Sequence, residues 1–381
     1  MLKKLLAILL ACMMLLPCAP VLAEEPLTCG EYSYSLNDDG SATILTCKSG
    51  DEVLTVPEEL DGRPVTAIGD RAFILCYFLR KITLPEGVAS IGELAFANCQ
   101  SLKDVILPDG LVSIGSEAFN NCTSLSGISL PDSVTDVGSN PFTNCPKLTK
   151  ITVSPDHPAL EIIDGALFDK ADRRLICYPC AFTDKSYAVP QGTRAISGNA
   201  FAFCASLTCV SLPDSVTDVG PNPFPHCPNL REIAVSPDHP ALEIIDGALF
   251  DRADRRLICY PCAFTDKSYA VPQGTRAIGE AAFRGCDALT RITLPESLTS
   301  IGREAFSFCT SLSDIALPDG LRSVGDAAFS SCFFLTSAAI PESVSSIGGD
   351  AFDSCPSLTL TVPQGSYAET YAVENNIPYT F

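Results

Sequence analysis

The sequence is poor in positive charge and in the residues that dominate protein-binding hot spots. Its 381 residues contain no tryptophan, and 25 Lys and Arg stand against 45 Asp and Glu, a formal net charge of −20 at pH 7. Such a surface repels the phosphate backbone of nucleic acids and the headgroups of anionic lipids. We therefore expect neither nucleic acid nor a membrane surface as a partner.

Sequence motifs of catalysis are also absent. The patterns G-x-S-x-G, H-E-x-x-H, G-x-G-x-x-G and the P-loop do not occur. Of the three histidines, His157 and His239 hold the same place in a duplicated segment, and His226 lies in a proline-rich stretch. Carboxylates recur at turn positions such as Asp109 and Asp132, as solubilising residues do. We expect no catalytic, cofactor-binding or metal-binding residues and no enzyme activity.

Long apolar runs are missing beyond Ala23, so the sequence predicts no transmembrane helix there. The start of the chain has the pattern of a secretory signal peptide, with Lys3 and Lys4, an apolar run over 5–16 and a small-residue Val-Leu-Ala exit. We expect removal of residues 1–23 and a secreted or cell-surface protein. A lipoprotein anchor at Cys18 is the alternative, which the proline before that cysteine disfavours.

What the chain does contain is a regular repeat, whose period is the spacing from Cys76 to Cys99 and from Cys99 to Cys122. Each unit has a cysteine three places after a phenylalanine, and a leucine three places after that cysteine. The phenylalanines are Phe73, Phe96, Phe119, Phe142, Phe201, Phe224, Phe283, Phe306, Phe329 and Phe352. The cysteines are Cys76, Cys99, Cys122, Cys145, Cys204, Cys227, Cys286, Cys309, Cys332 and Cys355. A fixed period of this length is typical of a solenoid, in which each repeat forms one coil.

The unit can be interpreted as one coil. In L-x-x-I-x-L-P, alternate apolar residues form a short strand that the proline ends, because proline has no N–H for the ladder. An Ile-Gly pair then brings the chain back across the coil, and the A-F-x-x-C corner fills the interior. One coil cannot bury its own apolar face, but stacked coils form a continuous core. The sequence therefore predicts a β-rich repeat solenoid.

The pattern L-x-x-I-x-L-P-x-x-V-x-x-I-G-x-x-A-F-x-x-C resembles the BspA-like class of bacterial leucine-rich repeats. The opening "YSYSLNDDGSATIL" and the closing "VPQGSYAETYAVENNIPYTF" resemble the entry and exit of that family, so the likeness covers essentially the whole mature chain. It implies a leucine-rich repeat with a parallel β-sheet on the concave face, hairpin inserts and a cap at both ends. It also implies an exported protein, since family members occur on bacterial surfaces and some bind host proteins in adhesion.

The expected boundaries follow from the repeats. They are a signal peptide over 1–23, an N-terminal β-hairpin cap over 24–67, a solenoid over 68–362 and a C-terminal cap over 363–381 with a short helix at about Tyr367–Asn375. Two longer stretches, between Cys145 and Cys204 and between Cys227 and Cys286, break the period. In each we predict a hairpin insert, at about 154–190 and 236–272, whose strands are "DGALFD" and "RRLICYP". Residues 153–196 and 235–278 agree at 43 of 44 positions, which indicates a duplicated block.

The two copies of "LICYPC" hold C-x-x-C pairs, Cys177 with Cys180 and Cys259 with Cys262. A shared four-thiolate zinc site is disfavoured, because at least three coils separate the pairs by roughly 15 Å, whereas zinc needs each sulfur at about 2.3 Å. A redox motif is disfavoured, because it would open a helix and these pairs end a strand. We expect structural thiols here, with local disulfides as the alternative.

The corner cysteines and the cap cysteines are predicted to differ in their oxidation state. Side chains one coil apart lie near 4.8 Å, beyond the Cβ separation of about 3.5–4.5 Å that a disulfide needs, so we expect the corner thiols to be buried and reduced. If a turn at 37–39 makes the cap hairpin, Cys29 faces Cys47, and we expect a disulfide between them. Cys209 occupies an outward strand position, and we expect an exposed thiol there.

Two surfaces are candidates for contact with a partner. One is the outward face of the strands, with Lys81, Asp104, Lys150, Glu232, Arg291 and Asp314; the other is the inserts, with Arg173, Arg174 and Tyr178 and their copies Arg255, Arg256 and Tyr260. The strand face is mixed in charge and has no aromatic residues, so it predicts no tight apolar groove. We expect a non-enzymatic exported protein that binds other proteins, with adhesion to host or matrix proteins implied by the resemblance. The alternative is a structural spacer or envelope component without a dedicated ligand.

Overall fold

Each repeat of the sequence becomes one turn of a β-solenoid. The computed structural model describes residues 25–381, so the predicted signal peptide and Cys18 lie outside the described residues. The chain makes about 15 turns with mostly parallel strands, and the predicted fold class is confirmed.

The N-terminal cap has six strands, of which the first three form an antiparallel sheet that adjoins the parallel coils. Its strands are β1 (Leu27–Cys29), β2 (Tyr32–Leu36), β3 (Ala42–Cys47), β4 (Val53–Thr55), β5 (Glu59–Leu60) and β6 (Arg63–Ile68). Strand β2 pairs with β1 on one side and with β3 on the other, and β3 then pairs in parallel with β6. The cap thus covers the first coil and supplies the first rung of its ladder.

The predicted Cys29–Cys47 disulfide is wrong. The chain turns back after Cys29, so β1 is a separate strand, and Tyr32 of β2 lies opposite Cys29 on one side and Cys47 on the other. The two cysteines are therefore two strand spacings apart, about 9–10 Å. Both are free thiols in the structure.

Each regular coil contributes one three-residue strand and one two-residue strand. The first coils contain β7 (Lys81–Thr83), β8 (Ser90–Ile91), β9 (Asp104–Ile106), β10 (Ser113–Ile114), β11 (Gly127–Ser129), β12 (Asp136–Val137) and β13 (Lys150–Thr152). Strands of each kind pair in parallel with those of neighbouring coils, as Ser90, Ser113 and Asp136 do in register. Two ladders result: the three-residue ladder, predicted to line the concave face, and the two-residue ladder.

Inside the coils the corner phenylalanines stack in runs that the inserts interrupt, and the first run extends from Phe73 to Phe142. Phe73 and Phe96 lie 5.0 Å apart between ring centroids, and Phe96 and Phe119 lie 5.2 Å apart, with nearly parallel planes. The Ile-Gly pairs allow the coils to approach this closely. A Cβ on Gly115 would lie 2.6 Å from the carbonyl carbon of Gly92 one coil earlier, so only glycine fits there.

The first insert is a three-stranded meander that lies within the core. Its strands are β14 (Leu160–Ile163), β15 (Ala166–Asp169) and β16 (Arg174–Cys177). The predicted hairpin is β15 with β16, and β14 is an additional strand. Alternate side chains of the hairpin face opposite ways: Leu167 and Ile176 pack on the core before the insert, and Phe168 and Leu175 pack on the core after it. The insert therefore has two buried faces.

A buried histidine fastens this insert to the preceding coil. His157 Nε2 lies 3.1 Å from the carbonyl oxygen of Pro131, and its Nδ1 accepts the backbone N–H groups of Ala159 at 3.2 Å and Leu160 at 3.0 Å. Because Nδ1 accepts, the proton is assigned to Nε2. His239 makes the equivalent bonds in the second copy, so both histidines are structural.

The remaining coils repeat this plan. They contain β17 (Ser186–Ala188), β18 (Ala195–Ile196), β19 (Cys209–Ser211), β20 (Asp218–Val219) and β21 (Glu232–Ala234), the second insert with β22 (Leu242–Ile245), β23 (Ala248–Asp251) and β24 (Arg256–Cys259), and then β25 (Ser268–Ala270), β26 (Ala277–Ile278), β27 (Arg291–Thr293), β28 (Ser300–Ile301), β29 (Asp314–Ala316), β30 (Ser323–Val324), β31 (Ser337–Ala339), β32 (Ser346–Ile347) and β33 (Thr359–Thr361).

The C-terminal end is closed by helix α1 (Tyr367–Glu374) and strand β34 (Tyr379–Thr380). Ser366 caps the helix by accepting the N–H of Glu369 at 3.2 Å. Tyr371 packs against Phe352 and so ends the aromatic stack. Within residues 25–381 no helix has the length and apolar character that a bilayer span requires.

Candidate interaction surface

Two pairs of outward residues on the three-residue ladder are complementary in charge. Lys81 of β7 lies directly beside Asp104 of β9, and Arg291 of β27 lies beside Asp314 of β29. Glu232 lies beside Cys209, whose thiol is half-buried on the same face. Partial burial raises the pKa of Cys209, and the neighbouring Glu232 carboxylate raises it further.

The three-residue ladder is interrupted between β9 and β11. Within residues 25–381, β7 and β9 end one sheet and β11 with β13 forms another, and no backbone hydrogen bond joins β9 to β11. Val105 is only half-buried here, whereas Ile82 and Ile128, its counterparts in the adjacent coils, are buried. Gly127 has no side chain to cover the gap. The coils thus part locally and leave an open depression of about 550 Å³.

Basic residues surround this depression. Lys81, Lys103 and Lys150 line it together with Asp104, and the exposed side chain of Ile106 adds apolar surface. None of the three lysines forms an ion pair with any residue of the described chain. In a protein of net charge −20 the depression is therefore a locally positive site. It brings together three of the residues that the sequence singled out.

Exposed aromatic residues lie at the corner of the first coil, where the sequence prediction placed none. Ile74, Leu75, Tyr77 and Phe78 form a contiguous apolar surface, which we call the corner patch, and Phe78 is 70% exposed. The patch borders a cavity of about 220 Å³ that Cys47 and Cys76 also line. Only two residues separate Phe78 of the patch from Lys81 of the depression, so both features belong to the first coils.

The corner patch has a counterpart near the other end of the solenoid. Phe333 and Phe334 follow the corner Cys332 as Tyr77 and Phe78 follow Cys76, and Phe334 is 69% exposed. In the other eight repeats these two positions hold Gln100-Ser101, Thr123-Ser124, Pro146-Lys147, Ala205-Ser206, Pro228-Asn229, Asp287-Ala288, Thr310-Ser311 and Pro356-Ser357. The contrast between repeats is a signal that sequence comparison within the chain could have detected.

The tyrosines predicted on the contact surface of the inserts do not lie at the surface. Tyr178 and Tyr260 are buried, because the chain leaves β16 and β24 directly into a corner in which each tyrosine takes the place of phenylalanine. The backbone N–H of Tyr178 donates to Ala200, as Phe96 donates to Ala118, and its ring lies 5.5 Å from that of Phe201. Predicting these tyrosines as surface residues was wrong.

The predicted arginines of the inserts are at the surface, but most of them form ion pairs with carboxylates of the same insert. Arg174 pairs with Asp172 at 3.0 Å and Arg256 with Asp254 at 3.1 Å. Arg255 contacts Glu243 at 3.2 Å, and Arg173 is exposed in the turn between β15 and β16. These side chains stabilise the insert turns and leave little free positive charge.

Most corner thiols are buried and unpaired. Each of them donates its S–H to the carbonyl of a corner aromatic one coil earlier, as Cys99 does to Phe73 at 3.1 Å and Cys309 does to Phe283 at 3.1 Å. Burial raises the pKa of Cys122 and of Cys309 to about 12, which keeps these thiols protonated and unreactive. Within the described residues no group of three or more His, Cys, Asp or Glu is arranged to hold a metal ion.

One corner cysteine departs from the expected ladder. Cys286 forms a disulfide with Cys262 of the second "LICYPC", with Cα atoms 4.6 Å apart. Cys286 was predicted as a reduced corner thiol, whereas for Cys262 a local disulfide was the alternative to a structural thiol. Cys262 follows its corner tyrosine by two places, whereas a regular corner cysteine follows phenylalanine by three. This offset removes the parallel orientation on which the prediction depended.

The repeat geometry defines the class of protein: a leucine-rich repeat β-solenoid. The BspA-type leucine-rich repeat region matches residues 66–184, 174–254 and 258–377. The chain belongs to this family. No curated protein matches it.

Several solved structures are similar to this chain. A leucine-rich cell-surface protein of Faecalibacterium prausnitzii is 27% identical over 92% of this chain and 97% of its own, with a TM-score of 0.42. The pneumococcal vaccine antigen PcpA is 24% identical over 89% of this chain and 81% of its own, with a TM-score of 0.46. A leucine-rich repeat protein of Eubacterium ventriosum is 20% identical over 79% and 92%, with a TM-score of 0.45. Family membership rests on the repeat matches, since all three TM-scores are below 0.5.

Proposed function

We propose that this protein is an exported, non-enzymatic repeat protein that binds other proteins outside the cell and serves adhesion to host or matrix proteins. The observation that carries the proposal is the corner patch. Contiguous exposed apolar surface on an otherwise acidic, polar protein is a common mark of a protein contact, and tyrosine is enriched at hot spots. Membership of a bacterial leucine-rich repeat family supports binding, and the signal-like N-terminus supports export.

We place the contact on the first coils, where two features adjoin. The corner patch supplies apolar anchors, and the depression around Gly127 supplies Lys81, Lys103 and Lys150 without internal partners. A partner that covers both would bury Tyr77 and Phe78 at the centre and present carboxylates to the lysines. Such charge complementarity guides association and register, while the buried aromatics supply most of the affinity.

The test is binding of the full mature chain to immobilised fibronectin, laminin and fibrillar collagen, measured by surface plasmon resonance. Tyr77→Gln with Phe78→Ser gives this corner the residues of the next one, Gln100-Ser101, so the fold should persist. A hot-spot side chain contributes about 2 kcal/mol or more, so the double variant should lose affinity about 30-fold for one such side chain and several hundred-fold if both contributions add. Lys81→Glu with Lys150→Glu should weaken binding mainly through the association rate, and less so at high salt.

The matched control lies at the other end of the solenoid. Phe333→Thr with Phe334→Ser installs the Thr123-Ser124 pair at the equivalent corner and should leave binding at the first coils unchanged. Equal losses in both double variants would remove the first coils as the site. No binding to any of the three matrix proteins would refute the adhesion proposal and favour the spacer function.

A further inference from the structure

The duplicated block places a second pair of cysteines in the environment that forms the disulfide. Cys180 and Cys204 are the counterparts, in the first copy, of Cys262 and Cys286. The sequence separation within each pair is the same, 24. The segment from Arg174 to Phe182 is identical to that from Arg256 to Phe264. In the structure Cys180 and Cys204 are both free thiols.

The backbone contacts that position the "YPC" turn are the same in the two copies. Tyr178 N–H donates to Ala200 at 2.8 Å, and Tyr260 N–H donates to Ala282 at 2.9 Å. The strand pairing also matches, because Arg174 lies opposite Ala195 as Arg256 lies opposite Ala277. These contacts fix the position of each "YPC" turn along the solenoid axis and its orientation relative to the next corner.

The side chains around the two pairs agree as well. The rings of Tyr178 and Phe182 meet edge-on at 5.2 Å, and those of Tyr260 and Phe264 do so at 5.4 Å. Cys180 is half-buried and Cys204 is buried, as Cys262 and Cys286 are in the second copy. One thiol of each pair is therefore reachable by a small oxidant, and its partner lies within the core.

The copies differ in the residues that flank the second cysteine, where Ala202, Phe203 and Ala205 replace Arg284, Gly285 and Asp287, but the residue before that cysteine keeps the same backbone conformation. Gly285 precedes Cys286 with φ +74°, and Phe203 precedes Cys204 with φ +60°. Both residues have a left-handed backbone conformation, so both direct the chain to the following cysteine in the same way. The Phe203 ring stacks on His226 at 4.5 Å and is thereby held against the next corner.

We propose that Cys180 and Cys204 form a disulfide in the exported protein, equivalent to the one between Cys262 and Cys286. Each thiol loses one proton and one electron as the S–S bond forms. The two electrons pass to a disulfide oxidant, either a low-molecular-weight disulfide such as oxidised glutathione or an oxidoreductase in its disulfide form, which is reduced to two thiols. The exit of each insert is then linked covalently to the following coil, and the regular corner thiols remain reduced.

The experiment is disulfide mapping of the full chain after export into an oxidising compartment. The protein is unfolded and alkylated without reductant, and then cleaved with trypsin. The peptide LICYPCAFTDK arises from both 175–185 and 257–267, so its partner identifies the bridge. Linkage to 285–291 reports the Cys262–Cys286 bond, and linkage to 195–231 reports the proposed one. Of the 17 cysteines in residues 25–381, 13 should be alkylated if both bridges are present.

Fragmentation of the linked peptides identifies the sulfurs, because 195–231 contains Cys204, Cys209 and Cys227. Cys180→Ser should abolish the link to 195–231 and leave the link to 285–291 intact, while Cys177→Ser should preserve both. Alkylation of 15 cysteines, or a bond that joins Cys209 or Cys227, would overturn the proposal. The mapping of the unmodified chain decides the question even if a variant fails to fold.

Discussion

Lowering the pH from 7 to 5 should destabilise this protein through one histidine, His226. Its ring stacks on Phe203 at 4.5 Å and meets Phe308 edge-on. Burial lowers the pKa of His226 to about 4, and the nearby Arg284 guanidinium acts in the same direction, while Asp287 opposes them. In the unfolded chain the same imidazole has a pKa near 6.5, so the unfolded state binds more protons between these values.

The sign follows from proton linkage. A neutral His226 contributes its full stability above about pH 6.5, and this contribution is lost as the pH falls towards 4. Between pH 7 and pH 5 the difference in pKa corresponds to about 2 kcal/mol of unfolding free energy. The assay is denaturant unfolding at both pH values in the intact chain and in His226→Asn.

Asparagine is the matched substitution for His226. The position has φ +56°, and Asn98, Asn121 and Asn144 occupy the corresponding left-handed position in other coils. The variant cannot titrate at this position, so its change in unfolding free energy between pH 7 and pH 5 should lack the loss of about 2 kcal/mol that His226 causes. Identical pH dependence in both proteins would refute the argument that burial holds His226 neutral.

Three further predictions concern stability and are checked by denaturant unfolding. Phe119→Ala removes a fully buried ring from the stack and should cost about 3–5 kcal/mol, whereas Phe334→Ala, at an exposed corner, should cost less than about 0.5 kcal/mol; similar losses would contradict the stacked core. Gly115→Ala places a Cβ against the backbone of the previous coil and should cost about 3 kcal/mol or more; a neutral effect would show that the coils can separate. His157→Ala leaves buried backbone groups unpaired and should cost about 3 kcal/mol, as should His239→Ala in the second copy; an unchanged unfolding free energy would exclude the structural role of this ring.

The sequence predicted the repeating features well, because each follows from a rule that acts within one coil or between neighbours. The constant period, the proline at the strand end and the close-packed glycine give the solenoid, and "DGALFD" with "RRLICYP" gives the hairpin. The helix at Tyr367–Glu374 follows from Ser366 and Glu369, which form a cap at its start.

The site was predicted only in part. Lys81, Asp104 and Lys150 were identified as outward residues from strand alternation, and they do line one depression. The depression itself was not predictable, because it arises where two coils fail to form backbone hydrogen bonds. The corner patch was missed because the whole corner was interpreted as interior, although only its Ala72 and Phe73 are fully buried while Tyr77 and Phe78 face solvent.

The sequence by itself determined the coil, since the identity and spacing of its apolar, proline and glycine residues admit one way of stacking. Only the tertiary structure decided which residues from distant chain segments come into contact. A turn after Cys29 separated it from Cys47 by an extra strand, and burial on both faces of the insert drew Tyr178 and Tyr260 into the aromatic stack. Such relations are set by packing between coils, whose energy is shared among many residues and is not carried by any local pattern.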